Sequence, residues 1–150
     1  MTTRQPPRIL SIAGSDSSGG AGIQADIKTI TMLGGYAMTA ITAITAQNTV
    51  GVQGIAPIAP AMVAQQIASC FDDIGVDAIK IGMLHDDEVI ATVGSTIGHS
   101  LIPVVVDPVM VATSGAMLIN ENAVAALHVE LLSKATLITP NLPELAVLTD

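Results

Sequence analysis

Short apolar segments typical of β-strands alternate along this chain with segments that have the spacing of amphipathic helices. The predicted strands are 8–13, 36–46, 77–83, 102–106 and 136–139, and the predicted helices lie around 23–30, 60–74, 86–97, 120–131 and from 143 onward. Because the strands are apolar along their whole length, both faces of their sheet must be covered. The alternation therefore predicts an α/β fold with a mostly parallel sheet and helices on both faces.

One long stretch, Thr29 to Phe71, contains no Asp, Glu, Lys or Arg. A membrane-spanning helix needs about 20 consecutive, predominantly apolar residues. Glycine, amide and proline residues interrupt this stretch at Gly34-Gly35, Gln47-Asn48 and Pro57. We therefore interpret it as buried strands and a helix in a core covered on both sides, and we expect no membrane partner.

The charge of the chain restricts its partners. Thirteen acidic residues against 5 basic ones give a net charge of −8, which repels nucleic-acid backbones and anionic lipids. Aromatic residues, on which bases stack, make up 1% of the chain. The single cysteine, Cys70, excludes an intrachain disulfide and a cysteine-cluster metal site. We expect a cytoplasmic protein that does not bind nucleic acid.

Unusual residues follow the predicted strands. Ligands of an open parallel sheet bind outside the carboxyl ends of its strands. The segments at those ends are 14–22, 47–48, 82–83, 107–110 and 141–144. Their coincidence with strand ends predicts that the ligand site is built from them.

The glycine-rich loop, 14–22, does not match the common phosphate-binding motifs. Gly20 stands where a P-loop requires lysine. Residues 20–25 fit G-x-G-x-x-A, but the acidic residue that a dinucleotide fold needs about 20 positions later is missing. We expect this loop to bring a ligand close to the backbone, with Asp26 projecting behind it. For a lone aspartate on a helix, however, a solvated position is the interpretation we favour.

Other polar residues at the strand ends leave two interpretations open. Gln47 either recognises a small polar ring through its amide or ties down its own turn. Lys80 lies inside a strand, so it pairs with a carboxylate such as Asp107 or faces phosphate. Asp107 in turn either holds Mg²⁺ through water or pairs with that lysine. Asn141 and Glu144 have the spacing of a helix capping box.

Five blocks of the sequence together resemble a known enzyme family. They are AGSDSSGGAGIQADIKT (13–29), TAQNTVGVQ (45–53), KIGML (80–84), VVDPVM (105–110) and LITPNLPE (137–144). In order and spacing they resemble the hydroxymethylpyrimidine/phosphomethylpyrimidine kinases of thiamine biosynthesis, which belong to the ribokinase-like superfamily. The resemblance implies ATP- and Mg²⁺-dependent phosphorylation of 4-amino-5-hydroxymethyl-2-methylpyrimidine, and of its monophosphate as well.

The resemblance also implies roles for single residues. Asp26 and Gln47 match the polar contacts to the pyrimidine, and the pocket wall is matched by Gly14, Met83 and Val109. Asn141 and Glu144 match the N-x-x-E motif associated with Mg²⁺ and phosphate, with Glu144 on the metal. We group Lys80 and Asp107 with them as the candidate phosphate and metal region. Ser17 stands where many relatives have proline, which we expect to matter little.

The family's second half carries a glycine-rich anion-hole loop that ends in the catalytic Asp, and most of the ATP pocket. None of this is found in the 150 residues. We therefore expect residues 1–150 to be the N-terminal part of a single ribokinase-like domain, incomplete at its C-terminus, inactive alone and with its base further along. Exposed edges and apolar faces predict a homodimer or a larger assembly.

Two alternatives to this function stay open. One is a pyridoxal-type kinase, because related folds phosphorylate hydroxymethyl groups on pyridine rings. Gln47 and Met83 favour the pyrimidine over pyridoxal. The other alternative is a half-domain that binds a ligand without catalysis.

Overall fold

The structure is a computed structural model, and it describes residues 5–98, 101–110, 119 and 121–149. In chain order its elements are β1 (Arg8–Ala13), α1 (Gly22–Met32), β2 (Tyr36–Ile41), β3 (Ala43–Asn48), β4 (Gly51–Pro57), α2 (Pro60–Ser69), β5 (Ala78–Ile81), α3 (Asp87–Ile97), β6 (Val104–Val106), α4 (Glu121–Glu130), β7 (Leu137–Ile138) and α5 (Leu142–Thr149). A π-helical turn, Cys70–Ile74, extends α2. Asn120, the expected cap of α4, lies outside the described residues.

Five strands form a parallel sheet in the order β2-β1-β5-β6-β7, so the predicted mostly parallel sheet is confirmed. The chain passes from β1 to its neighbour β2 on one side, and β5 later joins β1 on the other side. Such a switch in strand order opens a crevice at the carboxyl ends of the strands concerned. The fold therefore places its natural ligand crevice just after β1.

Helices cover both faces of this sheet, as predicted. On one face, Ile12, Ile81 and Val106 are fully buried in a core formed with α2, α3 and α4. On the other face, alternate strand residues point toward α1, where Ser11 and Lys80 both contact Asp26. This second face carries polar residues close to the crevice.

The prediction of a single strand over 36–46 was wrong. The main-sheet strand β2 ends at Ile41, and β3 forms a separate antiparallel hairpin with β4. Thr42 turns the chain out of the sheet, because its N–H donates to Ala13 O at 3.1 Å and its hydroxyl to Met83 O at 2.8 Å. The β3–β4 hairpin thus begins beside the carboxyl end of β1.

The expectation that the whole uncharged stretch is covered on both sides was also wrong. Most residues of β4 are exposed, and those of β3 alternate between buried and exposed. The hairpin lies outside the main sheet, and β3 contacts the glycine-rich loop along one edge only. Within the described ranges, no helix is long and apolar enough to cross a membrane.

Candidate functional site

A cavity of about 290 Å³ lies at the carboxyl ends of β1, β5 and β6, between α1 and the β3–β4 hairpin. Seven of the nine predicted site residues line it: Gly14, Asp26, Gln47, Lys80, Met83, Asp107 and Val109. The other two, Asn141 and Glu144, follow β7 and do not line it. Residues distant in the sequence therefore meet here as the strand-end rule predicted.

The carboxylate of Asp26 is held in place from two strands. Its Oδ2 accepts hydrogen bonds from Ser11 Oγ at 2.6 Å and from Lys80 Nζ at 3.2 Å. The side chain is only 16% exposed, so the favoured interpretation of a solvated helix residue was wrong. Its Oδ1 makes no hydrogen bond to a described residue, which leaves this oxygen available to a ligand in the cavity.

Lys80 joins the two carboxylates of the cavity. Its Nζ lies 3.2 Å from Asp26 Oδ2 and 3.6 Å from Asp107 Oδ2, so the pairing with Asp107 considered from the sequence is present. Gly82 makes room for this side chain, because a Cβ there would lie 2.9 Å from Lys80 Nζ and 3.1 Å from Ala13 Cβ. Lys80 is therefore the counter-ion of both Asp26 and Asp107 on the β1–β5 side of the cavity.

The glycine-rich loop is organised around a residue that the sequence analysis did not single out. Asp16 is buried, and its carboxylate accepts hydrogen bonds from the backbone N–H groups of Ser18, Gly20 and Ala21 and from the Ser18 hydroxyl. Burial opposes ionisation of this carboxyl, but the hydrogen bonds from Ser18, Ala21 and Gly20 outweigh it and lower the pKa of Asp16. Three N–H groups that could otherwise hold an external phosphate are thus already occupied.

Two glycines of the loop lie close to neighbouring atoms, and Gly22 is required by its backbone conformation. Gly22 has φ +56°, and a Cβ there would overlap the carbonyl oxygen of Gly14. A Cβ on Gly14 would lie 2.5 Å from Met83 Cε. The Met83 methyl group therefore packs directly on the loop backbone, and together these residues form one wall of the cavity.

Gln47 reaches the cavity from β3. Its Oε1 lies 3.3 Å from Thr45 Oγ1, whose proton is donated to Ser15 O at the shorter distance of 2.8 Å, and its side-chain NH₂ makes no hydrogen bond to a described residue. Both polar groups of its backbone bond to the Ser17 hydroxyl: the N–H donates to Ser17 Oγ and the C=O accepts from it, each at 2.8 Å. From the sequence we expected the serine at position 17 to matter little, but its hydroxyl makes both of these contacts. The amide of Gln47 is thus largely free for a ligand.

Asn141 and Glu144 form the capping box that their spacing predicted. Glu144 N–H donates to Asn141 Oδ1 at 2.9 Å, and Asn141 N–H donates to Glu144 Oε2 at 2.9 Å. Glu144 is 3% exposed, and its Oε1 makes no hydrogen bond to a described residue. The pair therefore starts α5 while one carboxylate oxygen stays available.

Sequence reasoning missed three buried polar residues of the site: Ser11, Asp16 and Thr45. Ser11 could have been found, because it is the one hydroxyl within the otherwise apolar segment ILSIA of β1. Asp16 could also have been found, because its partners lie two to five residues further along the loop. Thr45 could not, because its partner Ser15 is 30 residues away in the sequence. Among the described residues there is no group of three or more His, Cys, Asp or Glu side chains able to hold a metal ion.

Comparison with known proteins gives one consistent result. Residues 16–150 match the family model described as phosphomethylpyrimidine kinase. A hydroxymethylpyrimidine/phosphomethylpyrimidine kinase of Rhizobium meliloti (strain 1021) is 52% identical over 140 residues, which are 93% of this chain and 53% of that protein. The first curated relatives are covered over 19% to 54% of their length, so the chain spans about half of these proteins or less.

Solved structures agree with the sequence matches. A phosphomethylpyrimidine kinase from Clostridium difficile 630 superposes with a TM-score of 0.89 at 44% identity, over 95% of this chain and 62% of that chain. A pyridoxal kinase from Staphylococcus aureus in complex with AMP-PCP and pyridoxal superposes with a TM-score of 0.83 at 38% identity, over 97% of this chain and 52% of that chain.

Proposed function

The chain belongs to the phosphomethylpyrimidine kinase family, and on that premise we propose that its cavity binds 4-amino-5-hydroxymethyl-2-methylpyrimidine for phosphorylation by ATP in thiamine biosynthesis. One observation carries the proposal: a fixed carboxylate, Asp26, and a free amide, Gln47, line the same small cavity. Its volume, about 290 Å³, is at the lower end of the range for small-ligand pockets. A single six-membered ring with short substituents matches that size.

In this proposal the two polar groups recognise the edge of the ring. Asp26 Oδ1 accepts a hydrogen bond from the 4-amino group, and the Gln47 amide bonds a ring nitrogen. Met83 and Val109 pack on the faces of the ring, because small-ligand pockets are lined mainly by apolar side chains. Ser11 and Lys80 act indirectly, because they hold the other oxygen of Asp26.

Phosphoryl transfer depends mainly on positioning and on stabilising charge. Mg²⁺ in such sites is held by one or two carboxylates together with phosphates and water. We propose that Asp107, which follows β6, and Glu144, which follows β7, would hold it, because each supplies a carboxylate after a strand of the main sheet. The bound ion would neutralise charge on the transferred phosphoryl group. We propose that the monophosphate is a further substrate.

The Gln47→Ala variant should bind the pyrimidine more weakly than the wild-type chain. The loss of the amide leaves a ligand nitrogen unsatisfied in the cavity, at about 1–3 kcal/mol or roughly 5- to 150-fold in affinity. Calorimetric titration measures this change. The matched control is Gln53→Ala, an exposed glutamine of the same hairpin that does not line the cavity. Equal affinity in the Gln47→Ala and control variants would make Gln47 structural and would refute its assignment.

A second candidate substrate is pyridoxal, because a pyridoxal kinase shares this fold at 38% identity. Titration of the wild-type chain with pyridoxal and with the pyrimidine separates the two, and we propose tighter binding of the pyrimidine. A binding half-domain without catalysis would bind the ring but show no ATP turnover in the complete gene product.

We also propose a cytoplasmic protein that assembles as a homodimer or larger. For residues 1–150 by themselves, the edge strand β7 supports assembly, because it pairs only with β6 in the described structure and exposes Leu137 and Ile138. Unpaired, apolar strand edges favour pairing with another chain.

A further inference from the structure

The glycine-rich loop runs along the edge of β3 that faces away from β4. Ser15 N–H donates to Ala43 O at 2.8 Å. Two residues further on, Thr45 N–H donates to Ser15 Oγ at 3.2 Å, and Thr45 Oγ1 donates to Ser15 O at 2.8 Å. Every second residue of β3 is thus bound to the loop, as in a strand pair.

The last of these links differs from the others. At Gln47 the loop contributes only a side chain, because Ser17 Oγ donates to Gln47 O and accepts from Gln47 N–H, both at 2.8 Å. No other hydrogen bond joins the Gln47 backbone to the loop within the described residues. One hydroxyl therefore holds this end of β3 to the loop.

On its opposite edge, β3 pairs irregularly with β4 next to Gln47. The register between β3 and β4 shifts between Ala46 and Gln47, which pair with Gly54 and Val52. Such irregularities disrupt the ladder locally and re-aim the side chains beside them. The direction of the Gln47 side chain is thus set largely from the loop side.

We propose that Ser17 is a positioning residue that fixes the Gln47 backbone, so that the amide of Gln47 enters the cavity at the angle needed to bind the substrate ring. The inference rests on the proposed function, because it assigns Gln47 to the pyrimidine. A proline at position 17 has no hydroxyl and cannot make this link. The contact between loop and hairpin at this position therefore depends on the hydroxyl of the serine.

Hydrogen exchange of the ligand-free chain tests the link itself. In the Ser17→Ala variant, the backbone amide proton of Gln47 should exchange about three- to tenfold faster than in the wild type, because it loses one hydrogen bond. Ser17→Thr, which keeps the hydroxyl, should restore slow exchange. Thr49→Ala, at the exposed tip of the hairpin, is the control and should leave Gln47 unchanged. Equal exchange in the wild-type and Ser17→Ala chains would overturn the proposal.

A double-variant cycle then tests positioning. Ser17→Ala should weaken pyrimidine binding about three- to tenfold, and should have no further effect when Gln47 is already alanine. An equal loss in both backgrounds would show that Ser17 acts elsewhere, and would overturn the role assigned to it. Failure of the wild-type chain to bind pyrimidine would instead refute the proposed function, while the exchange experiment still decides whether Ser17 holds Gln47.

Discussion

The Asp16→Asn variant is expected to unfold at a lower temperature than the wild-type chain and to lose most of its affinity for the pyrimidine. Gly20 N–H and Ala21 N–H both donate to Asp16 Oδ2. Asparagine replaces one of the two carboxylate oxygens by an NH₂ group, which cannot accept. Either the N–H groups of Gly20 and Ala21 or the donors of Ser18 then lose their acceptor. Hydrogen bonds to a charged group contribute about 1.5–3 kcal/mol each. The loop that carries Gly14 and Gly22 should then lose its shape.

Thermal and urea unfolding followed by circular dichroism measure this loss. Because the hydrogen bonds lower the pKa of Asp16, the stability they contribute should be complete above about pH 4 and should disappear as the pH falls through the lowered pKa. The difference between wild type and variant should shrink over the same range. Asp73→Asn removes the same charge at an exposed site remote from the loop. Equal unfolding of the Asp16→Asn and Asp73→Asn chains at pH 7 would contradict this account.

The Asp26→Asn variant is expected to fold but to bind the pyrimidine roughly 10- to 150-fold more weakly. Hydrogen bonds to charged groups contribute about 1.5–3 kcal/mol, and the neutral amide removes the charged acceptor for the ring's amino group. Asparagine keeps the shape of the side chain and still accepts from Ser11. Lys80 keeps Asp107 as its partner.

Calorimetric titration with the pyrimidine measures the loss for Asp26→Asn, and Asp73→Asn is again the control of equal charge. An unfolding midpoint close to that of the wild type would separate lost recognition from lost structure. Unchanged affinity in a folded Asp26→Asn chain would remove Asp26 from the site.

Patterns of apolar residues sufficed to predict the mostly parallel sheet with helices on both faces and the place of the candidate site. Residues after different strands converge in a parallel sheet because the carboxyl ends share one edge. The sequence alone was therefore enough to predict that four of the cavity residues lie together: Gly14, Lys80, Asp107 and Val109. The capping box of Asn141 and Glu144 was equally accessible, because both partners lie within one helical turn.

The errors arose where long-range contacts decide the local structure. Ile41-Thr42-Ala43 carries no turn residue, so the break after β2 depends on the bonds of Thr42 to Ala13 and Met83. Asp26 looked like a solvated helix residue because its partners lie 15 and 54 residues away. β4 contains Gly51, Gly54 and Pro57, which disfavour strands, and it forms as an exposed hairpin strand outside the main sheet.

The most direct test of the pyrimidine site is a nuclear magnetic resonance titration of the methionine methyl groups. Met83 lines the cavity, whereas Met32 and Met62 are 85% and 51% exposed elsewhere. Addition of 4-amino-5-hydroxymethyl-2-methylpyrimidine should shift the Met83 ε-methyl resonance to saturation and leave those of Met32 and Met62 in place. A Met83→Leu chain assigns the signal. An unmoved Met83 resonance at saturating pyrimidine would contradict the central claim.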